Sequence, residues 1–258
     1  MIDTYLEPVR KPALAVAVAA AALLGFTGQA WAGGAEILRE GLLGLRPPPA
    51  DRSQTLPTAR YVSQEGETFV FDRSQPRALL KFDDSPEVWV LRPQPAPRGD
   101  VIYMNDAGQP VLRATRLGGL TLFTEDRPGG TAAALAGGGS ALRLAQLGPQ
   151  QLLERLAQAS ARATRAARRL IPFEADASPA SSAITADAAM VAAEAVIRMT
   201  RRPDAKSILS RFTKIRLIEG RKAQAVVQQG VVQITVAPTD GLAGRPSSDR
   251  IIAAIAAR

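Results

Sequence analysis

Between residues 60 and 124 the apolar residues come in short runs separated by turn formers, a spacing that suits an antiparallel sheet and no helix. It predicts strands over 60–63, 68–72, 79–82, 88–91, 101–104, 111–116 and 120–124. In Thr68-Phe69-Val70-Phe71-Asp72 the two-residue period of a strand puts both phenylalanines on one face, and Leu112 with Ala114 oppose Arg113 with Thr115 in the same way. One face is therefore buried and the other is wetter. Asn105-Asp106-Ala107-Gly108 ends on a glycine that permits a hairpin turn, and Gly118-Gly119 marks a second reversal. The expectation over 59–127 is a meander, a curled sheet or a small barrel.

The stretch 128–148, "PGGTAAALAGGGSALRLAQLG", holds three successive glycines and predicts a hinge. Pro149 suits the first position of a helix. Leu152, Leu156, Ala159, Ala163, Ala166 and Leu170 then recur at three- and four-residue intervals, predicting a helix that reaches about residue 170. A second helix is expected from Thr185 as cap to just before Pro203, with Ala186, Met190, Ala193 and Ile197 facing inward. Residues 214–217 alternate as a strand, and "AQAVVQQGVVQITVA" reads as a hairpin turning at Gln229-Gly230. A terminal helix starts at Ser247 or Ser248 and carries Ile251, Ile252 and Ile255. The fold class is α+β: an antiparallel β-sheet or small barrel-like unit, followed over 149–258 by two helices, a β-hairpin and a C-terminal helix.

Residues 13–34, "ALAVAVAAAALLGFTGQAWAGG", follow Arg10 and Lys11. A membrane-crossing helix needs about 20 apolar residues, whereas the core of a secretory signal needs only about 7 to 15. The uninterrupted run 13–24 has signal length, and Ala30-Trp31-Ala32 fits the cleavage pattern of small residues at alternate positions. Residues 1–32 are thus read as a signal peptide cut after Ala32, with an uncleaved anchor as the alternative. The mature chain is expected in the periplasm or outside the cell, with no stable membrane span. Residues 33–58 include Pro47, Pro48 and Pro49 and read as an extended, Pro-rich lead-in. The chain has no cysteine, so an exported fold must rest on packing alone.

The same composition excludes chemistry. With no histidine and no cysteine, a serine nucleophile has no imidazole partner, and zinc sites of nitrogen and sulfur ligands cannot form. No phosphate-cradling glycine motif or calcium loop is present, so no cofactor is expected. Paired carboxylates remain. Glycoside hydrolysis needs two carboxyl groups about 5 to 9.5 Å apart, one of them kept protonated. The candidates Asp83, Asp84 and Glu87 lie in "KFDDSPEVW", close to Trp89, which could stack on a sugar, and Asp72, Asp100 and Asp106 are further acids from which a pair could come. Asp-Asp-Ser-Pro is equally an ordinary turn composition, which is the preferred reading.

Charge divides along the chain. Residues 33–142 carry 12 basic and 13 acidic groups, and residues 143–258 carry 18 and 9. Arg155, Arg162 and Arg169 stack in one strip on the first helix, where guanidinium groups could grip phosphate or carboxylate. Arg245, Ser247 and Ser248 lie at the start of the last helix, where backbone N–H groups favour an anion. The bland alternatives are a solvated helix face and plain capping. The expected function is that of an exported, non-catalytic envelope protein that binds or scaffolds through its basic second half. An anionic envelope polymer or a protein is the expected partner. Nucleic acid is not expected, because aromatic residues for base stacking are missing from the basic helix. A carboxylate-dependent hydrolase acting on an envelope glycan is the alternative.

The runs "FDDSPEVWVLRP", "PRGDVIYMNDAGQPVLRATRLGGLTLFTEDRPGG" and "GLAGRPSSDRI", in that order, resemble a family of secreted bacterial proteins known only as a domain of unknown function. The resemblance covers most of residues 60–250. It implies export and nothing about activity, so no site residue follows from it.

Overall fold

The computed structural model describes residues 57–257. The signal segment and nearly all of the lead-in lie outside them. Eight antiparallel strands follow one another: β1 (Thr58–Ser63), β2 (Thr68–Asp72), β3 (Ala78–Phe82), β4 (Val88–Pro95), β5 (Val101–Met104), β6 (Pro110–Ala114), β7 (Leu120–Leu122) and β8 (Thr131–Gly138). Each pairs with the next, and β8 pairs back onto β1, which closes a barrel and removes the exposed sheet edges. The period-two pattern fills the interior. Tyr61, Phe69, Phe71, Leu80, Leu91, Tyr103, Leu112 and Leu122 all point into one buried cluster. Tyr61 stacks on Phe69 at 5.7 Å and Phe71 meets Tyr103 edge-on at 5.0 Å. Each such large buried side chain contributes about 1.5 to 3 kcal/mol.

The eighth strand occupies the stretch expected to be a hinge. Its glycines serve closure of the barrel instead. The β1–β8 register shifts between Arg60 and Tyr61, with Tyr61 opposite Leu135 and Arg60 opposite Gly137. Just beyond the strand, a Cβ on Gly139 would come within 3.1 Å of both the Val70 side chain and the Ala59 backbone. The chain can pass the first strand this closely only without a side chain.

The rest is a two-layer α/β unit. Helix α1 (Pro149–Ala167), strand β9 (Phe173–Asp176), helix α2 (Ser182–Thr200), short helix α3 (Ala205–Leu209), strands β10 (Lys214–Glu219), β11 (Gln224–Gln228) and β12 (Val231–Val236), and helix α4 (Ser248–Ala256) follow in order. The sheet order is β11-β12-β10-β9, with β10 parallel to both β9 and β12. Gln229 and Gly230 both have positive φ (49° and 76°), the conformation of a tight two-residue hairpin, as expected for that turn.

Several boundaries differ from the expectation. Helix α1 stops at Ala167 because Arg168 turns left-handed (φ 53°), and this leaves Leu170 73% exposed instead of on the apolar stripe. Helix α2 starts at Ser182, so Thr185 lies inside it, buried, and does not cap it. This helix is buried on nearly all sides, with alanine wherever neighbours come close, while Met190 and Ile197 are only half-buried. Strand β9 and helix α3 were not expected. Both are too short to show a period, and β9 is defined by pairing with β10.

Buried Asp72 ties the barrel seam together. Its carboxylate accepts from the Thr58 hydroxyl (2.9 Å), the Ser74 N–H (2.8 Å) and the Leu142 N–H beyond β8 (2.8 Å). Burial pushes its pKa up, but the donors at Ser74, Leu142 and Thr58 outweigh that and hold it below the ordinary carboxylate value. A group depressed on folding adds stability above its unfolded pKa and loses it as pH falls through the folded value. Asp72→Ala is expected to lower unfolding free energy by about 2 to 3 kcal/mol near neutral pH. In denaturant melts its gap to the parent protein should narrow below pH 4, roughly the unfolded carboxylate pKa.

Candidate functional site

In an antiparallel barrel alternate turns emerge at the same end. Here the β1–β2, β3–β4, β5–β6 and β7–β8 connections share one end, and a cavity of about 820 Å³ opens there. Phe82, Trp89, Val111 and Phe123 line it, and Phe82 packs on Phe69 below at 5.8 Å, so the cavity is a bowl floored by the barrel's own core. Glu65, Glu67, Asp83, Asp84, Glu125 and Asp249 also line it, with Arg198 from α2 as the lining cation. Arg60 pairs with Asp83 at 2.5 Å and Arg127 with Glu65 at 3.2 Å, both near the surface. Asp84 is exposed and forms no hydrogen bond or ion pair among the described residues.

The second unit docks onto this same end through a polar junction. Arg245, its side chain 2% exposed, donates to Asp187 of α2 and to the Val88 carbonyl (2.7 Å), and lies 3.7 Å from Glu87. Glu87, also fully buried, accepts from the Ser248 N–H (2.9 Å) and hydroxyl (2.5 Å). Asp106 accepts from the Ser247 N–H (3.0 Å) and hydroxyl. Asn105 donates to Asp249 at 2.9 Å, and Arg198 reaches Ser248 (2.7 Å), Asp249 (2.6 Å) and Glu125. Burial pushes the Glu87 pKa up, against the opposing pull of Arg245 and the Ser248 donors. Burial works to lower that of Arg198, but Asp249 and Glu125 outweigh it and hold it above the ordinary value.

The six residues expected to bind an anion fall into two groups. Ser247 and Ser248 do stand at the start of α4, with the Ser247 hydroxyl capping it through the Arg250 N–H (3.1 Å). The anions they meet are the protein's own Asp106 and Glu87, and Arg245 is enclosed with Asp187. On α1, Arg155 reaches only Gln158 (3.3 Å), whereas Arg162 pairs with Glu194 of α2 (3.0 Å). Arg169 lies past the end of α1, off the helical strip expected for it, because the left-handed turn at Arg168 ends the helix. It donates to the carbonyls of Leu209 (2.6 Å) and Phe212 (2.7 Å) and lies 5.1 Å over the Phe212 ring. None of these three lines the bowl or the cleft described next.

Behind Trp89 and Asn105, a smaller cleft of about 260 Å³ runs between the barrel wall and the second unit. Arg77, Arg92, Lys222 and Arg250 line it, and their side chains form no ion pair or hydrogen bond among the described residues. Asp106 and Asp240 are its acids.

Of the six carboxylates considered for catalysis, only Asp83 and Asp84 reach the bowl, where Trp89 joins them. Asp72 and Asp100 sit at the opposite barrel end, the latter held by Arg113 Nε at 2.9 Å. Glu65, Glu67, Glu125, Arg198 and Asp249 were missed as site residues. For Glu65, Glu67 and Glu125 the signal available was their position at alternate hairpin ends, which needs the closing eighth strand before it has meaning, whereas Arg198 of α2 and Asp249 of α4 reach the bowl only through tertiary packing. Among the described residues no group of three or more acids stands close enough to hold a metal ion, and no helix is long and apolar enough to cross a membrane.

Removing the Glu87 side chain leaves buried donors without a partner. Glu87→Ala is expected to cost about 2 to 3 kcal/mol, and Glu87→Gln much less. A carboxyl whose folded pKa is raised contributes fully below its unfolded pKa and loses that contribution as pH rises through the folded value. Thermal melts across pH should therefore move the balance of stability from the parent towards Glu87→Gln as pH rises.

No curated protein and no solved structure matches this chain. Residues 38–255 match the family described as a domain of unknown function (DUF4908), a span that includes all three runs on which the resemblance rests, and the chain belongs to that family.

Proposed function

We propose that the chain is an exported, non-catalytic binding protein of the cell envelope, periplasmic or secreted, whose ligand site is the mouth of its barrel. The observation that carries this reading is the bowl of about 820 Å³ with aromatic walls and a polar rim. Its size lies in the range of small-molecule sites, and a barrel mouth is a common place for one. The aromatic walls supply contact area, and the rim carboxylates supply orientation.

Hydrolysis by paired carboxylates is less well supported at this mouth. It needs one acid that keeps its proton, and the acid whose pKa burial raises, Glu87, is turned away from the bowl onto Ser248. Asp83, at the rim, is paired with Arg60. Export is supported by the short apolar run 13–24 and the alternating small residues before Gly33. Protein recovered from its native host should begin at Gly33 by N-terminal sequencing, and protein that still begins at Met1 would count against export.

A second reading, attachment to an anionic envelope polymer, is favoured by the cleft cations Arg77, Arg92, Lys222 and Arg250, which have no side-chain partner among the described residues. Retention on anionic envelope fractions should fall with salt. Replacing these four by glutamine should release the protein without unfolding it. Arg162→Ala and Arg169→Ala should instead lower thermal stability, since the Arg162 guanidinium joins α1 to α2 and that of Arg169, just past α1, joins the end of α3 and the residues after it. Salt-independent retention would overturn this second reading.

A further inference from the structure

We infer that the barrel mouth receives a small organic cation with an apolar body, an inference that rests on reading the mouth as the ligand site. The walls come first. Phe82, Trp89 and Phe123 present aromatic surface to one bowl, and aromatic faces attract a cation through the negative centre of their π-systems. The rim is the second observation. Six carboxylates, those of Glu65, Glu67, Asp83, Asp84, Glu125 and Asp249, face three guanidinium groups, those of Arg198 in the lining and of Arg60 and Arg127 paired to rim acids. The bowl is therefore negative on a chain whose formal net charge is +8, and part of the negative charge, at Asp84, has no partner among the described residues.

The spread of the acids decides what kind of cation fits. They belong to the β1–β2, β3–β4 and β7–β8 turns and to α4, and no three of them gather closely enough to form a metal site. Compact metal ions require close oxygen ligands around a point. A quaternary ammonium or guanidinium group carries its charge over a larger, weakly hydrated volume, and its hydrocarbon part can lie against the aromatic walls. An anion of the same shape would meet the rim's field with the wrong sign, and a neutral ligand would leave it unanswered.

Trp89 can report directly, because Trp31→Phe leaves it the only tryptophan of the full chain. That protein would be titrated with hexyltrimethylammonium, hexanoate and 1-hexanol, which share an apolar length and differ in charge. The expected result is a saturable change in Trp89 fluorescence with the ammonium ion, at an affinity at least about tenfold above that for hexanoate. Added salt should weaken it. Asp84→Asn combined with Glu67→Gln should reduce it about tenfold, with an unchanged thermal melt, and Arg155→Ala, far from the bowl, should leave it unaltered. Hexanoate or hexanol binding as tightly as the ammonium ion, or a double variant that binds normally, would overturn the cation assignment while keeping the mouth as a binding site. No saturable response to any of the three would overturn the mouth itself as the ligand site.

Discussion

Arg245 enters the space between the barrel and the α/β layer with its guanidinium fully enclosed, and withdrawing such a charge from water costs several kcal/mol unless partners surround it. Here they do: Asp187 from α2, the Val88 carbonyl from β4, and Glu87 beyond. Around it, three of the four turns at the barrel mouth are fixed to the second unit. The β3–β4 turn is held through Glu87 and Ser248, the β5–β6 turn through Asn105 and Asp106, and the β7–β8 turn through Glu125 and Arg198. Hairpin turns of an isolated barrel would be its most mobile parts. Clamped in this way, they become a defined rim, so the shape of the bowl depends on a unit that contributes only two side chains to its lining.

Internal contacts also absorb part of the second half's positive charge. Arg162 and Arg169 fasten α1, Arg198 and Arg245 hold the junction, and Arg211 donates to the carbonyls of Ile255, Ala256 and Ala257 at the end of α4, where a cation also answers the helix dipole. Arginine suits this work because its planar fork makes several directed hydrogen bonds at once. A surplus of basic residues in a sequence is therefore not a measure of free positive surface. Among the described residues Arg77, Arg92, Lys222 and Arg250, whose side chains form no ion pair or hydrogen bond there, gather in one cleft.

Much of the barrel was legible because its strands alternate. Phe69 with Phe71, and Leu112 against Arg113, carry the period of two in their side chains, and the Gln229-Gly230 turn carries its geometry in the glycine. A small barrel was among the forms expected, but the strand that closes it was not legible. Strand β8 reads Thr-Ala-Ala-Ala-Leu-Ala-Gly-Gly, with neither alternation nor β-branched residues beyond its first position, and its conformation comes from pairing with β1 and β7. Without it the first seven strands form an open sheet, and Glu65, Asp84 and Glu125 are merely polar turn residues. Composition did point to Asp83, Asp84 and Trp89 as neighbours, because they are neighbours in sequence. That Glu87, four residues after Asp83, turns inward to Ser248 is decided by a contact across 161 residues.

Trp89 stands between two opposite electrostatic environments, lining the acidic bowl on one side and the basic cleft on the other, with Asn105 beside it. Two such fields at close quarters would partly cancel in open water. A low-dielectric wall preserves them, because field lines that would run through the indole and the barrel core are instead focused out through each opening. Half-buried Trp89 on β4 supplies part of that wall, and Val88, next to it, belongs to the small apolar cluster with Leu79 and Leu242 that seals the barrel against the second unit. A change at residue 89 therefore alters contact area in the bowl and the separation of charge together, whereas a change at Asp84 or Lys222 alters one field alone.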